Sequence, residues 1–393
     1  MTHSYLIAAR RTPIGKLLGS LSSIAAPKLA GVAIKTAMAD AGVPADSVDQ
    51  VLLGNVLSAG IGQAPARQAA LAAGIPPSVG AITINKVCGS GLAAVMLADQ
   101  AIRAGDAKLV VAGGMENMSL APHLMMGTRA GWKLGNQTVL DSMIHDGLWC
   151  ACENKGMGVL ADYTAAKHQI SRGDQDAFSV ESHARAIAAR EGHMFDAEIV
   201  PIKVKGSKGE VVVDHDEGPR ANSSLADLAK LRPSFGPEGT ATAGNASQIS
   251  DGAAAVLVAS APVAENVKSS IKTRVVASAT HSGDAKELFT APISAIEAVL
   301  AKAKLTVSDI DLFEINEAFA AQCLACARAL RIEAGKLNIN GGAIALGHPI
   351  GASGARVLVT LLHALAWRKL RYGVAALCLG GGEAVAMVVE RVE

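Results

Sequence analysis

The sequence predicts an α/β protein with two similar halves and a long insertion in the first half. Short apolar runs typical of buried strands alternate with amphipathic or Ala-rich stretches typical of helices, and this alternation favours mainly parallel strand pairing. A strand, a Gly-rich turn, a helix and a strand follow one another once in each half. From about residue 120 to residue 245 the chain carries more charge, Gly, Pro and His, as expected for an insertion over the surface.

The elements can be assigned in order along the first half. Apolar runs and helical periodicity predict a strand at 5–8, a helix at 34–41, a strand at 50–56, a helix at 91–104 and a strand at 108–112. After the insertion, regularity resumes with a buried strand at 253–259.

The second half repeats part of this order. Residues 82–85 are strand-like and precede the first helix and strand of the repeat, which ends at Gly113 and Gly114. In the second half, residues 337–340 are strand-like, and a helix at 354–367 and a strand at 374–378 lead to three glycines at 380–382. A chance similarity between two βαβ units is the alternative interpretation.

These patterns divide the chain into three parts. Residues 1–119 and 246–269 form the first half, residues 120–245 the inserted domain and residues 270–393 the second half. The chain is long enough for two or three domains, and half of its residues are hydrophobic.

Composition excludes some functions. Lys and Arg number 36 and Asp and Glu 35, which argues against a nucleic-acid binder or a protein held to an anionic membrane by charge. We expect no apolar run approaching the ~18–20 residues that span a bilayer. The beginning resembles neither a signal nor a transit peptide, and the end is no peroxisomal address, so we expect a cytoplasmic protein.

Six cysteines are present, and in a reducing compartment an even number does not imply disulfides. Cys323 and Cys326 form a C-x-x-C in an Ala-rich run that predicts a buried helix. Because no second C-x-x-C and no His pair at zinc spacing accompanies them, we interpret both as core residues and predict no metal site.

The strongest local signal is the segment NKVCGSGL at 85–92. A strand, a sharp turn and a helix would present Cys88 at a helix N-terminus, where backbone N–H groups favour a thiolate. Gly89 and Gly91 would let an acyl group approach the backbone. A buried cysteine beside a glycine turn is the structural alternative.

A second signal is GGAIALGHPIGASG at 341–354. His348 among so many glycines lies on a loop whose backbone must come close to something, and a neutral imidazole can accept the proton of a thiol. A turn histidine with structural hydrogen bonds is the alternative.

Two further segments carry chemistry. In CLGGGE at 378–383, Cys378 can exchange a proton, while glycine N–H groups can form an oxyanion hole. In DLFEINEAF at 311–319, Asn316 can fix a water that donates to an oxyanion. The alternatives are a core cysteine before a turn and a helix N-cap.

Together these four segments resemble the thiolase family over nearly the whole chain. They are similar to its acyl-cysteine, histidine, C-x-G-G and N-E-A-F motifs, and GTATAGNASQISDGAAA at 239–255 resembles its coenzyme A segment. The resemblance implies two αβα halves stacked in five layers, with an inserted loop domain that binds coenzyme A. It also implies a homotetramer built as a dimer of dimers.

The resemblance implies a role for each motif. Cys88 becomes the S-acyl enzyme, His348 activates it, and Asn316 helps to hold the first oxyanion through a water. Cys378 removes the α-proton of a second acetyl-CoA, and the backbone N–H groups of Cys88 and Gly380 form the other oxyanion hole. The reaction is the reversible condensation of two acetyl-CoA to acetoacetyl-CoA and CoA, with the thioesters as substrates and no separate cofactor. Coenzyme A and substrate contacts are implied for Arg220, Phe235, Ala243, Ser247, Met157, Leu148, Ala318, Phe319 and Leu288.

Three positions depart from the family pattern. Biosynthetic members read His-Met-Gly where this chain has Gly156, Met157 and Gly158, and methionine is common where it has Leu288. Loss of the imidazole predicts an enlarged pocket that still accepts acetoacetyl-CoA and tolerates branched or longer acyl chains. Asp227 replaces a serine and would accept a hydrogen bond from adenine.

Three other functions compete with this interpretation. A degradative 3-ketoacyl-CoA thiolase of broader chain length would use the same residues with a larger pocket. A decarboxylating ketosynthase uses one Cys and two His, but Cys378 stands where the second His would be. A non-enzymatic acyl-CoA carrier would not need all four polar residues.

Overall fold

The computed structural model describes residues 3–206 and 209–392, so the chain ends from which a location was predicted lie partly outside it. Its strands are β1 (Ser4–Arg11), β2 (Gly15–Lys16), β3 (Gln50–Gly54), β4 (Gly80–Ile84), β5 (Leu109–Asn117), β6 (His123–Met125), β7 (Val139–Asp141), β8 (Trp149–Cys150), β9 (Lys155–Gly156), β10 (Ile202–Gly206), β11 (Gly209–Val213), β12 (Ser250–Ser260), β13 (Thr273–Ser282), β14 (Leu312–Ile315), β15 (Tyr372–Leu379) and β16 (Glu383–Arg391).

The helices predicted at 91–104 and 354–367 begin one and four residues earlier than predicted, whereas the prediction at 34–41 covers only the second half of the observed helix. The helices are α1 (Ala26–Ala41), α2 (Pro65–Ala72), α3 (Ser90–Ala104), α4 (Met157–Lys167), α5 (Arg172–Glu191), α6 (Leu225–Leu228), α7 (Ala261–Glu265), α8 (Ala291–Ala303), α9 (Ala320–Leu330), α10 (Ala343–Leu346) and α11 (Ile350–Arg368). A π-helical segment, Met143–Leu148, precedes β8.

The main sheet has the strand order β14-β15-β16-β13-β1-β12-β5-β3-β4, with β2 beside β12. Only β3 with β4, β3 with β5 and β14 with β15 pair in parallel, so the prediction of mainly parallel pairing is wrong. The reason lies in the connections. β15 and β16 are joined by a three-glycine turn, in which Gly381 and Gly382 have φ of +89° and +86°, and so short a turn permits only antiparallel pairing.

The elements stack in five layers, as predicted. α1 and α2 pack on the outer face of β1, β3, β5 and β12. α3 and α11 fill the centre, between the inner faces of the strands of both halves. α8 and α9 cover the outer face of β13 to β16. Cys323 and Cys326 are buried in α9 and belong to this last layer, consistent with a packing role.

The central helices approach closely because glycines face each other. A Cβ at Gly91 would lie 2.7 Å from the backbone N of Ala355, and one at Gly354 would lie 2.4 Å from that of Leu92. α11 is also long and apolar enough to cross a membrane by length and composition, contrary to the sequence-based expectation, but 83% of its most apolar window is buried inside the fold.

Two details of the repeat differ from the prediction. Residues 337–340 form no strand, and Leu337 makes a single bridge to Phe313. The Asn338 side chain accepts from Ile315 N and donates to Ile315 O, at 2.9 Å each, so it replaces the backbone hydrogen bonds of a further strand pair. Gly114, expected after a strand, lies inside β5, where a Cβ would be 2.1 Å from the carbonyl oxygen of Gly351.

The region between β5 and β12 holds α4, α5, α6 and three two-stranded ribbons. Arg11 on β1 ties this region to the first half. Its guanidinium is fully buried and binds Glu198 at 2.6 Å and Asp216 at 2.7 Å. Because removing one partner of such a buried pair leaves an uncompensated charge, the docking of this region depends on all three groups.

Candidate active site

One cavity of about 650 Å³ lies where the two halves meet the inserted region. Its wall includes Cys88, His348, Cys378 and Gly380, although these residues are far apart in the chain. It also includes every predicted coenzyme A or substrate contact: Leu148, Met157, Arg220, Phe235, Ala243, Ser247, Leu288, Ala318 and Phe319. Among the predicted catalytic residues, only Asn316 is not part of the wall, and it is fully buried.

Cys88 lies in the turn between β4 and α3. Val87, immediately before it, has φ of +47°, a strained conformation for a β-branched residue. The Ser90 hydroxyl holds the turn by donating to Val87 O at 2.6 Å and accepting from Lys86 N at 2.8 Å. A Cβ at Gly89 would lie 2.4 Å from Leu379 Cδ2 and 2.9 Å from Val385 Cγ2, so a larger residue there would displace these side chains.

The resting charge state of Cys88 is opposite to the expected one. Burial raises the pKa of its thiol to about 12, although backbone N–H groups of Cys88 and Gly380 directed at the sulfur lower the pKa in part. The helix N-terminus therefore does not offset desolvation, and Cys88 is a neutral thiol. The same two N–H groups are the predicted oxyanion hole.

His348 is buried beside the start of α11. Its Nδ1 lies 2.5 Å from the Ser353 hydroxyl, which itself donates to Pro349 O at 2.8 Å. Since the only hydroxyl proton is used there, Ser353 accepts from Nδ1–H, and Nε2 carries the free lone pair. Burial and, second, the positive charge of Arg356 lower the pKa of His348 to about 3, so the imidazole is neutral.

Asn316 faces the basic nitrogen of this histidine. Its Nδ2 lies 3.5 Å from His348 Nε2, and its Oδ1 has no hydrogen-bond partner among residues 3–206 and 209–392. The N-cap of α9 is Phe319, so the capping alternative for Asn316 is wrong. The strand β14 ends at Ile315, and the hydrogen bond from Asn316 N to Ala376 O at 3.0 Å fixes the backbone at this end of the sheet.

Cys378 is at the end of β15, almost completely buried. Burial raises the pKa of its thiol, and the neighbouring Cys88 raises it further. The site thus holds two neutral thiols and one neutral imidazole. Such a set can pass a proton between sulfur and nitrogen as a covalent bond forms, without burying a permanent charge.

The outer part of the cavity has an aromatic wall. Phe319 packs edge to face against Phe235 and Phe289, with ring centroids 6.1 Å and 5.2 Å away. The Phe235 ring occupies the space over Gly158, where a Cβ would lie 2.1 Å from it. Ser247 N donates to Ala318 O at 3.0 Å, which holds the predicted coenzyme A segment beside the N-E-A-F motif.

The cationic side chains at the cavity are Arg220 and Lys16. Both lower the pKa of His183, after its burial, so both lie near His183. An anion site at this end fits the coenzyme A contact predicted for Arg220. Asp227 does not line the cavity: it is exposed and bonds to Ser224 at 2.7 Å and Lys230 at 2.8 Å, so the expected adenine contact has no support.

Sequence reasoning missed several wall residues and one residue behind the wall. Ser353 had a readable signal, because a serine in the first turn of a helix often bonds to a nearby carbonyl. Lys16 and Trp149 had none, because only the folded chain brings β2 and β8 to the cavity.

Two thiols, an imidazole and two backbone N–H groups at one cavity suit an enzyme that carries an acyl group on a cysteine. Comparison with known proteins agrees. Residues 4–262 match the family model "Thiolase, N-terminal domain", and residues 269–391 match "Thiolase, C-terminal domain". The chain therefore belongs to the thiolase family.

Its relatives share the family over their full length. An acetyl-CoA acetyltransferase of Pseudomonas aeruginosa is 50% identical over 98% of both chains. One of Cupriavidus necator is 48% identical over 100% of both. The crystal structure of the Bacillus anthracis acetyl-CoA acetyltransferase superposes with a TM-score of 0.97 at 38% identity, covering 100% of this chain and 99% of that one.

Proposed function

We propose that this protein is an acetyl-CoA C-acetyltransferase that condenses two acetyl-CoA to acetoacetyl-CoA and CoA, and also catalyses the reverse reaction. The observation that carries the proposal is the convergence of two neutral thiols, one neutral imidazole and two backbone N–H groups on a single cavity. The names of the relatives in Pseudomonas aeruginosa and Cupriavidus necator support the same activity.

In the first half-reaction His348 Nε2 takes the Cys88 proton as the sulfur attacks the acetyl thioester carbon. The bond from that carbon to the coenzyme A sulfur breaks, and the departing thiolate takes the proton from the imidazolium. The Nδ1–H bond to Ser353 holds Nε2 toward the reaction. Neutral reactants fit the two pKa shifts, because neither group must ionise before substrate arrives.

In the second half-reaction Cys378 is the base. Its thiol proton passes to neutral His348, and the thiolate then takes the α-proton of a second acetyl-CoA. The resulting enolate attacks the acyl carbon, the bond to Cys88 breaks, and the released sulfur takes the proton held by His348. The N–H groups of Cys88 and Gly380 would hold the acyl oxygen, and one such donor is typically worth ~3–4 kcal/mol.

Acetylation with radiolabelled acetyl-CoA tests this assignment. Wild type and C378A should label at Cys88, whereas C88A should not, and neither variant should form acetoacetyl-CoA. C152A is the matched control, because Cys152 is exposed and outside the cavity wall. Label on C88A at the wild-type level would contradict the proposal.

We also infer a homotetramer, a cytoplasmic location, a role in fatty acid metabolism and no cofactor besides the thioester substrates. Exposed apolar side chains around the ribbon β6–β7 support self-association: Met126 is 60% exposed, and Leu134 is fully exposed. A molar mass from light scattering equal to that of one chain would contradict the tetramer.

A further inference from the structure

The ribbon β8–β9 contributes an aromatic ring to the active-site cavity. Trp149 and Gly156 are direct partners across its two antiparallel strands, so their side chains share one face. A Cβ built at Gly156 would lie 3.9 Å from the indole atoms Cε3 and Cζ3. The indole therefore lies against the position from which the family's imidazole is missing.

The indole is also held in place. Its Nε1–H donates to Asn154 Oδ1 at 3.2 Å, within the turn that joins the two strands. Asn154 has φ of +51°, a left-handed conformation that asparagine tolerates better than most residues. The ring is 38% exposed and lines the cavity together with Cys88 and Leu288.

We propose that Trp149 is a specificity-determining residue whose indole closes the side of the acyl pocket that Gly156 would leave open. The inference rests on the proposed function and reverses one expectation from the sequence. The loss of the imidazole was expected to enlarge the pocket for longer or branched acyl groups. Because the indole lies across from Gly156, the acyl pocket accepts only short acyl groups.

The two positions act as one unit. A side chain larger than methyl at position 156 would extend from a Cβ already in van der Waals contact with the indole, so it would have to turn away from the ring or displace it. Conversely, removal of the indole leaves glycine opposite empty space, because no other atom lies within 4 Å of that Cβ position. The acyl pocket is therefore enlarged by substituting Trp149 and not by substituting Gly156.

Thiolysis of four-, six- and eight-carbon 3-ketoacyl-CoA tests the proposal. Wild type should lose kcat/KM steeply beyond four carbons. W149A should raise the six-to-four-carbon ratio of kcat/KM about tenfold, the discrimination that a methylene in an apolar pocket commonly gives. W149F should lie between them. W367A is the control and should match wild type, since Trp367 is exposed at the end of α11, outside the cavity.

An unchanged ratio in W149A, with acetoacetyl-CoA thiolysis intact, would overturn the role of Trp149 and leave the proposed function standing. Wild type without acetoacetyl-CoA thiolysis would instead overturn the proposed function. A second measurement does not depend on how W149A folds. In W132F/W367F, Trp149 is the only tryptophan, and its fluorescence should shift when acetyl-CoA acetylates Cys88. An unaltered spectrum on an acetylated protein would count against the proposal.

Discussion

Replacing Ser353 by alanine should impair the histidine without touching the thiols. Ser353 accepts the Nδ1–H of His348 at 2.5 Å and is itself nearly inaccessible. Alanine removes the acceptor and leaves a buried N–H unpaired. It also permits the other tautomer, in which Nε2 carries the proton and cannot accept one from Cys88.

The size of the effect follows from the charge that His348 acquires. In the resting enzyme the ring is neutral, and an unpaired buried donor costs about 1–3 kcal/mol. While it holds the proton of Cys88 the ring is cationic, and a hydrogen bond to a charged group is worth about 1.5–3 kcal/mol. The part of this hydrogen-bond energy that arises only in the transition state is lost in S353A, and its loss slows acylation. We therefore expect the acylation rate to fall about 10- to 100-fold.

Rapid-quench acetylation of Cys88 measures that rate directly. S179A is the matched control, because Ser179 is also a fully buried helical serine that donates to the carbonyl four residues earlier, at 2.8 Å from Gln175 O, but receives no histidine. If S353A acetylates within twofold of wild type, or if S179A is slowed equally, the tautomer argument is wrong.

Three further outcomes follow from the structure. Because the pKa of His348 is about 3 in the folded chain and 6.5 in the unfolded one, the unfolded chain binds the proton first as pH falls. The contribution of this group to the free energy of unfolding is fully present above pH 6.5. Urea titrations should show that about 2 kcal/mol of it is lost by pH 5 in wild type and that H348N does not show this loss. G114A should lower stability by about 1–3 kcal/mol or more, since its Cβ would meet Gly351 O at 2.1 Å, whereas G335A, with open space, should unfold like wild type. R220A should raise KM for CoA about tenfold with little change in kcat, while R232A, outside the cavity wall, should not; an equal effect of both would contradict an anion site at Arg220.

The candidate site residues could be grouped from the sequence because each lies in a short segment whose residue types suit one task. Cys88 and His348 stand among glycines before helices, and both reach the cavity wall. Their charge states could not be predicted, because the pKa of a thiol depends on the residues that bury it, and Cys88 packs against core clusters whose members are distant in the chain. Periodicity likewise located several helices and strands, such as those at 50–56, 91–104 and 253–259, but not the pairing directions of the strands.

Long-range contacts account for the remaining errors. The strand expected at 337–340 failed because the side chain of Asn338 takes the hydrogen bonds of Ile315 that a strand neighbour would make. The position of the Trp149 ring follows from its pairing with Gly156 on the neighbouring strand. Local composition predicts neither this contact nor that between Asn338 and Ile315.

The glycine contact between α3 and α11 has a consequence for which functional groups each half of the chain contributes to the site. Cys88 precedes α3 and His348 precedes α11, so the proposed nucleophile and base occupy equivalent places, one in each half of the chain. Gly91 and Gly354 bring the starts of those helices together. The first half alone would supply the proposed attacking group and the second half alone the proposed proton acceptor. The proposed reaction therefore requires the contact between the two halves.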